Sequence, residues 1–172
     1  MDLLSKFRGI SKLFDWQEEI LKLPCIYNGS NLVYSCPTGG GKTLVSELIL
    51  MREVLSNHKN AIYIVPFVSL AHEKVSSLAP LGCSLGFHVE EYASSKGCIP
   101  PRKRYKRNSI YVATIEKASL LINSLIEENR IDTIGAMVVD EVSVILPDSY
   151  DQRTKKRGGS RTDVEQDPFP KM

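Results

Sequence analysis

No stretch of this sequence is long and apolar enough to suggest a membrane span. The run from Ala61 to Ala71 is broken by Pro66, and it falls far short of the roughly 20 residues a helix needs to cross a bilayer. There is no CxxC pair: Cys25, Cys36, Cys83 and Cys98 stand far apart, which argues against a disulfide framework and for reduced intracellular thiols. His58, His72 and His88 are equally scattered, so no transition-metal site is expected. Net charge is also scarce. Lys and Arg number 22 against 20 Asp and Glu, a formal charge of +2 over 172 residues, and such a total identifies no nucleic-acid partner, because an electrostatic footprint is read from clustering. No internal repeat is visible. The opening segment holds Lys6, Arg8 and Lys12, but Asp2 and the lack of an apolar core speak against a targeting signal. These absences leave a soluble intracellular chain, long enough for one compact domain of ordinary composition.

What is present is an alternation of two periods. Leu13, Trp16, Ile20 and Leu23 recur at helical spacing before Pro24, which predicts a short helix between Lys12 and Leu23. Leu32-Val33-Tyr34 reads as a strand that feeds a glycine-rich turn, followed by a helix from Lys42 to about Leu55. Ala61–Val65, Phe87–Tyr92 and Ser109–Ala113 read as further strands, with helices over Ser69–Leu78 and from Ile115 to about Asn129. Ala136-Met137-Val138-Val139 is a continuous apolar run, the pattern of a fully buried parallel strand. The expected class is α/β with a mainly parallel sheet. It should occupy residues 1–146, with a polar, disordered tail over 147–172 where Asp, Gln, Lys, Arg, Gly and Pro dominate.

The sharpest motif is Pro37-Thr38-Gly39-Gly40-Gly41-Lys42-Thr43, between a strand and a helix. Glycines let backbone N–H groups converge on phosphate oxygens at the positive end of a helix; Lys42 can neutralise β/γ-phosphates and the Thr43 hydroxyl can hold Mg²⁺. The strict phosphate-loop pattern has glycine where this chain has Cys36. The second motif is Asp140-Glu141 after the last apolar run. Alone it reads as a solvated turn. Beside a phosphate loop it reads as a Mg²⁺ ligand, Asp140, and a general base for water, Glu141, at the carboxyl edge of the sheet where open α/β folds bind ligands.

These motifs and their order resemble superfamily 2 DNA helicases, most closely the helicase Q and DNA polymerase theta group. Phe14-Asp15-Trp16-Gln17 is similar to the Q motif, PTGGGKT to motif I, Pro66-Phe67-Val68-Ser69-Leu70-Ala71 to motif Ia, Thr114-Ile115-Glu116-Lys117 to motif Ib, and Val138-Val139-Asp140-Glu141 to motif II. The segment Val89 to Gly97, with the Pro-Pro and basic run that follow, tips the resemblance toward helicase Q. The likeness covers Leu13 to Glu141. It implies a RecA-like phosphate-loop NTPase domain in which Gln17 reads adenine, residues 38–43 hold ATP, and Thr43 and Asp140 hold Mg²⁺. Ser69, Leu70, Thr114 and Lys117 would then touch the backbone of a single or branched DNA strand. RNA stays open, since phosphate contacts carry no sugar identity. The plainer reading of Ser69 and Thr114 is as helix N-caps, and both readings can hold at once.

Lys96, Arg102, Lys103, Arg104, Lys106 and Arg107 form a basic run with no acid between them. It reads as a solvated loop, as a phosphate-contacting loop centred on Arg102, Lys103 and Arg104, or as a nuclear import signal. The resemblance implies a 3′-to-5′ DNA repair helicase in the nucleus. It also sets expectations that this chain departs from. The group continues motif II with Leu-His where Val142 and Ser143 stand here, then with a motif III strand between those of motifs I and II, and with a second RecA-like domain. A chain cut short after motif II would have a gap in its sheet. It would also lack the arginine finger, worth about 10³–10⁵ in rate. The alternative function is therefore a non-catalytic module that binds nucleotide or nucleic acid without turnover.

Overall fold

The computed structural model describes residues 9–10, 12–37 and 39–141, with the backbone of residues 165 and 166. They fall into two compact units, the first running to Ile49 and including residues 165–166, the second beginning at Leu50.

In the first unit, α1 covers Asp15–Leu21 and α2 covers Pro24–Asn28. Pro24 ends the first helical run as its sequence implies, yet it also starts the next, because proline suits the first turn of a helix, where its missing N–H costs nothing. Strand β1, Leu32–Val33, pairs antiparallel with β6, Glu165–Gln166. The rest of the polar tail lies outside the described residues. Helix α3, Lys42–Leu55, follows the glycine-rich turn with the bounds its periodicity predicts, beginning in the first unit and ending in the second.

The second unit is built on four parallel strands: β2 (Asn60–Val65), β3 (His88–Tyr92), β4 (Ser109–Thr114) and β5 (Ile134–Val139), in the order β3-β4-β2-β5. All six residues of β4 are buried, as an inner strand of a covered parallel sheet requires. Between the strands run α4, Val68–Leu85, and α5, Ile115–Glu127. On α5, Ala118, Leu121 and Leu125 recur at helical spacing and pack with Ile62, Tyr92, Tyr111 and Ala113 into one core. The Tyr92 and Tyr111 rings meet edge to face, 5.5 Å between centroids.

Two expectations need correction. Helix α4 runs seven residues past Leu78: Pro80 lies within it, and the burial of Leu81 and Gly82 stabilises the extra turns. A Cβ on Gly82 would lie 2.8 Å from the Phe87 carbonyl, so a side chain there would keep the helix from closing on the chain leading into β3. The apolar run before Asp140 is not fully buried. Strand β5 pairs with β2 alone among the described strands, and Met137 and Val139 are about half exposed, at 53% and 46%. The strand of the glycine loop, β1, is not part of this four-stranded sheet.

Candidate nucleotide and nucleic-acid site

The glycine-rich loop is tied to α1 by one side chain. Gln17 occupies the third position of α1 and is 2% exposed. Its Oε1 accepts from the Phe14 N–H at 2.9 Å, and its Nε2 donates to the Gly41 carbonyl at 3.0 Å. The first bond satisfies an N–H that the helix start leaves open; the second reaches across to the loop. These two bonds use two of the four hydrogen-bonding capacities of a glutamine amide.

Gly41 has φ +84, and a Cβ there would lie 2.6 Å from Gln17 Nε2, so both the backbone and the glutamine demand glycine. A Cβ on Gly40 would run into Cys36 Sγ and come within 3.0 Å of the Pro37 oxygen. Cys36, the one departure from the strict loop pattern, is thus accommodated because position 40 carries no side chain. Gly39 is exposed, and Thr38 lies outside the described residues. The Lys42 ammonium turns back over the loop and donates to the carbonyls of Cys36 and Pro37. Tyr34 steadies the helix start from below: its hydroxyl donates to the Lys42 carbonyl at 2.9 Å and lies 2.7 Å from Ser46 Oγ. Thr43 is the second residue of α3, where helix amides have no acceptor within the helix. Lys42 and the start of α3 thus border a turn of bare backbone, in which the Gly40 amide donates to the Pro37 carbonyl at 3.0 Å and the Lys42 ammonium is held by loop carbonyls.

In the second unit, three chain segments leave the carboxyl edge of adjacent strands. Ser69 and Leu70 lie in the first turn of α4, just beyond β2. Thr114 ends β4 and is the N-cap of α5, with Lys117 at the third helical position. Asp140 and Glu141 follow β5. Since β4, β2 and β5 are neighbours, spaced by about 4.8 Å per strand, these ends lie side by side. Ser69 is not an N-cap: Phe67 holds that position, because the helix closes one residue earlier than the Ser69 start implied. Thr114 is at the cap position, but its side chain makes no capping bond.

Asp140 is the most constrained of the group. Its N–H extends the ladder to the Ile64 carbonyl at 2.9 Å. Oδ2 accepts from the Tyr63 hydroxyl at 2.6 Å, and Oδ1 from the Glu141 N–H at 3.0 Å. Glu141 is exposed, with φ +54, a left-handed conformation uncommon for a residue other than glycine. Tyr63 was not singled out from the sequence. A tyrosine in the otherwise apolar Ala61–Val65 run was the available signal, since a buried phenol seeks a partner.

The basic run lies elsewhere. Arg102, Lys103 and Arg104 precede β4, at the amino edge of the sheet, whereas Thr114 ends the same strand. They line a recess of about 380 Å³ with Asn60, Tyr105, Tyr111, Arg130 and Thr133. Glu90 binds Arg104 at 2.8 Å and holds its guanidinium more firmly protonated; Glu128 pairs with Arg130. Burial, then the positive Arg104, lowers the pKa of neighbouring His88. Among the described residues, no group of three His, Cys, Asp or Glu is arranged to hold a metal ion, and no helix is long and apolar enough to cross a membrane.

Comparison with known proteins gives the same frame. The family model for DEAD/DEAH box helicases matches residues 16–163. The chain is 50% identical over 144 residues to the Homo sapiens protein Helicase POLQ-like, covering 84% of this chain and 13% of that protein. It is 45% identical over 142 residues to Mus musculus DNA polymerase theta, covering 83% and 5% respectively. To the ATP-dependent DNA helicase Hel308 of Thermococcus kodakarensis it is 35% identical over 150 residues, covering 86% and 12%. The likeness therefore spans most of this chain and a small part of each relative.

Proposed function

This chain belongs to the DEAD/DEAH box helicase family, and on that footing we propose that it serves as the ATP-binding segment of an ATP-dependent DNA helicase. Gln17 reads the adenine, and the backbone of residues 38–41 with Lys42 receives the phosphates. On the family resemblance, Thr43 and Asp140 would each be a residue that holds Mg²⁺, and Glu141 would act as general base for the attacking water. Mg²⁺ supplies charge neutralisation on the phosphate oxygens. Ser69, Leu70, Thr114 and Lys117 contact the backbone of a single strand, where helix starts offer amide groups to phosphates; Ser69 is exposed, and Thr114, itself buried, contributes through the start of α5. On the resemblance alone, the reading extends to 3′-to-5′ tracking in nuclear DNA repair.

The observation that carries the proposal is the Gln17 bridge between the start of α1 and Gly41. It ties the residue that would read the base to the loop that would hold the phosphates, so recognition and phosphate binding are mechanically linked. The test is a thermal melt of the chain with and without Mg-ATP. Ligand selective for the folded state raises stability by about 2.7 kcal/mol at a hundredfold excess over Kd. The expected result is a raised midpoint that Lys42→Ala abolishes; no shift in the unaltered chain sinks the reading.

A further inference from the structure

The proposed strand-tracking contacts all lie at the carboxyl edge of the parallel sheet, while the basic recess opens at its amino edge. Strand β4 separates Ser109 from Thr114 by five steps, or about 17 Å at roughly 3.3 Å per residue. One short contact cannot serve both edges. We propose that the amino-edge recess is a second nucleic-acid site, taking phosphates of an unpaired strand on Arg102 and Lys103 and stacking a base on Tyr105. It rests on the reading that the chain acts on DNA.

The residues divide into a fixed frame and free donors. Arg104 is held by Glu90, which also accepts from Ser109 Oγ at 2.7 Å. Arg130 Nη1 donates to the Pro101 carbonyl at 2.9 Å and pairs with Glu128. Glu90 and Glu128 are therefore engaged with the lining residues Arg104 and Arg130 and hold them in place. Arg102 and Lys103 are exposed and form no ion pair with the described residues, so their charge is open to a ligand. Asn60, which also lines the recess, is oriented by its Oδ1 accepting from the Ser109 N–H at 2.8 Å.

Tyr105 decides the ligand class. It is 92% exposed, the most exposed large apolar or aromatic side chain described, and it sits among cations. An acidic peptide would use the charges but not the ring. An unpaired nucleic-acid strand uses both, its phosphates on the cations and a base on the aromatic face. The volume of about 380 Å³ lies within the ~300–1,000 Å³ of small-ligand clefts, enough to seat a nucleotide unit.

The experiment is a fluorescence anisotropy titration of a labelled oligothymidylate with the full chain over a range of salt, with the Mg-ATP melt run on the same samples. Arg102→Ala with Lys103→Ala is expected to reduce the slope of log K against log salt by about 1.4, at about 0.7 per phosphate released from a single strand. Tyr105→Ala is expected to weaken binding roughly 5- to 150-fold, the range of one base–aromatic stack, with little change in slope. All three side chains are exposed, so unchanged melting midpoints would establish that the variants fold. If Lys117→Ala weakens binding and the amino-edge variants do not, the inference fails while the proposed function stands. If the unaltered chain binds no oligonucleotide, the inference fails, and the Mg-ATP melt tells whether nucleotide binding fails with it. Displacement by polyglutamate as readily as by oligothymidylate, with Tyr105→Ala silent, overturns it in favour of an acidic peptide.

Discussion

Asp140 owes its orientation to a neighbour two strands' worth of sequence away. Tyr63, fully buried, gives its only hydroxyl proton to Oδ2, and with the Glu141 N–H on Oδ1 it fixes the rotation of the carboxylate. A hydrogen bond to a charged group contributes about 1.5–3 kcal/mol. Tyr63→Phe should therefore lower stability by about that amount in a denaturant titration. It should also raise the Mg²⁺ concentration needed for the ATP-induced shift in melting. Unchanged Mg²⁺ dependence would show that Tyr63 has no positioning role. At Gly41 the constraint is steric and conformational together. Gly41→Ala should cost about 1–3 kcal/mol for a side chain in a left-handed backbone, and more from the clash with Gln17. Combined with Gln17→Ala, only the backbone part should remain, so a double-mutant cycle separates the two. Additive effects would mean that the glutamine does not crowd the loop.

Helix α5 and strand β3 show how elements carry these residues. Leu121 is fully buried in the core that seats α5 on the sheet, and with it Thr114 and Lys117 at the helix start. Leu121→Ala should cost about 2–5 kcal/mol, seen as a lower denaturant midpoint at an unchanged slope; a loss near zero would mean that α5 is held by other contacts. Strand β3 begins at His88, whose pKa is lowered from 6.5 by burial first and then by Arg104, with Arg107 adding and Glu90 opposing. Below 6.5 the unfolded chain takes up a proton that the folded chain refuses. Stability from this residue is thus full above that value and is lost as pH falls through the lowered folded one. His88→Gln should flatten the decline in melting midpoint on mild acidification. A decline of the same size would assign it to carboxylates such as Glu91, which burial pushes up but Lys96 and His72 bring below the ordinary value.

At the scale of the chain, the sheet of the second unit divides its chemistry between two edges: Ser69, Thr114 and Asp140 at the carboxyl edge, Arg102 and Lys103 at the amino edge. The net charge of +2 conceals this separation. Because the chain spans only 13% of its human relative, turnover is the measurement that separates the two functional readings. Single-stranded DNA should raise ATP hydrolysis, and Glu141→Gln should remove the stimulated part; ATP binding without stimulated turnover would assign this chain to the non-catalytic alternative. The α/β class, the parallel strands and the loop-to-helix junction at Lys42 were legible in the sequence alone. Their signals are local: period-two apolar runs, period-3.6 faces, and glycines before Lys-Thr. The family, too, was legible, from the order of short motifs. What only the tertiary structure decided depends on neighbours distant in the chain. Met137 and Val139 share one face of β5 and stay half exposed, and β5 pairs with β2 alone among the described strands; which elements come to cover or flank a strand is not encoded in a local apolar run. Gln17 meets Gly41, and Tyr63 meets Asp140, across 24 and 77 residues, separations at which a pattern in sequence carries no distance. The basic run could be read as charge, but which edge it occupies follows from the direction of β4, and direction is a property of the folded sheet.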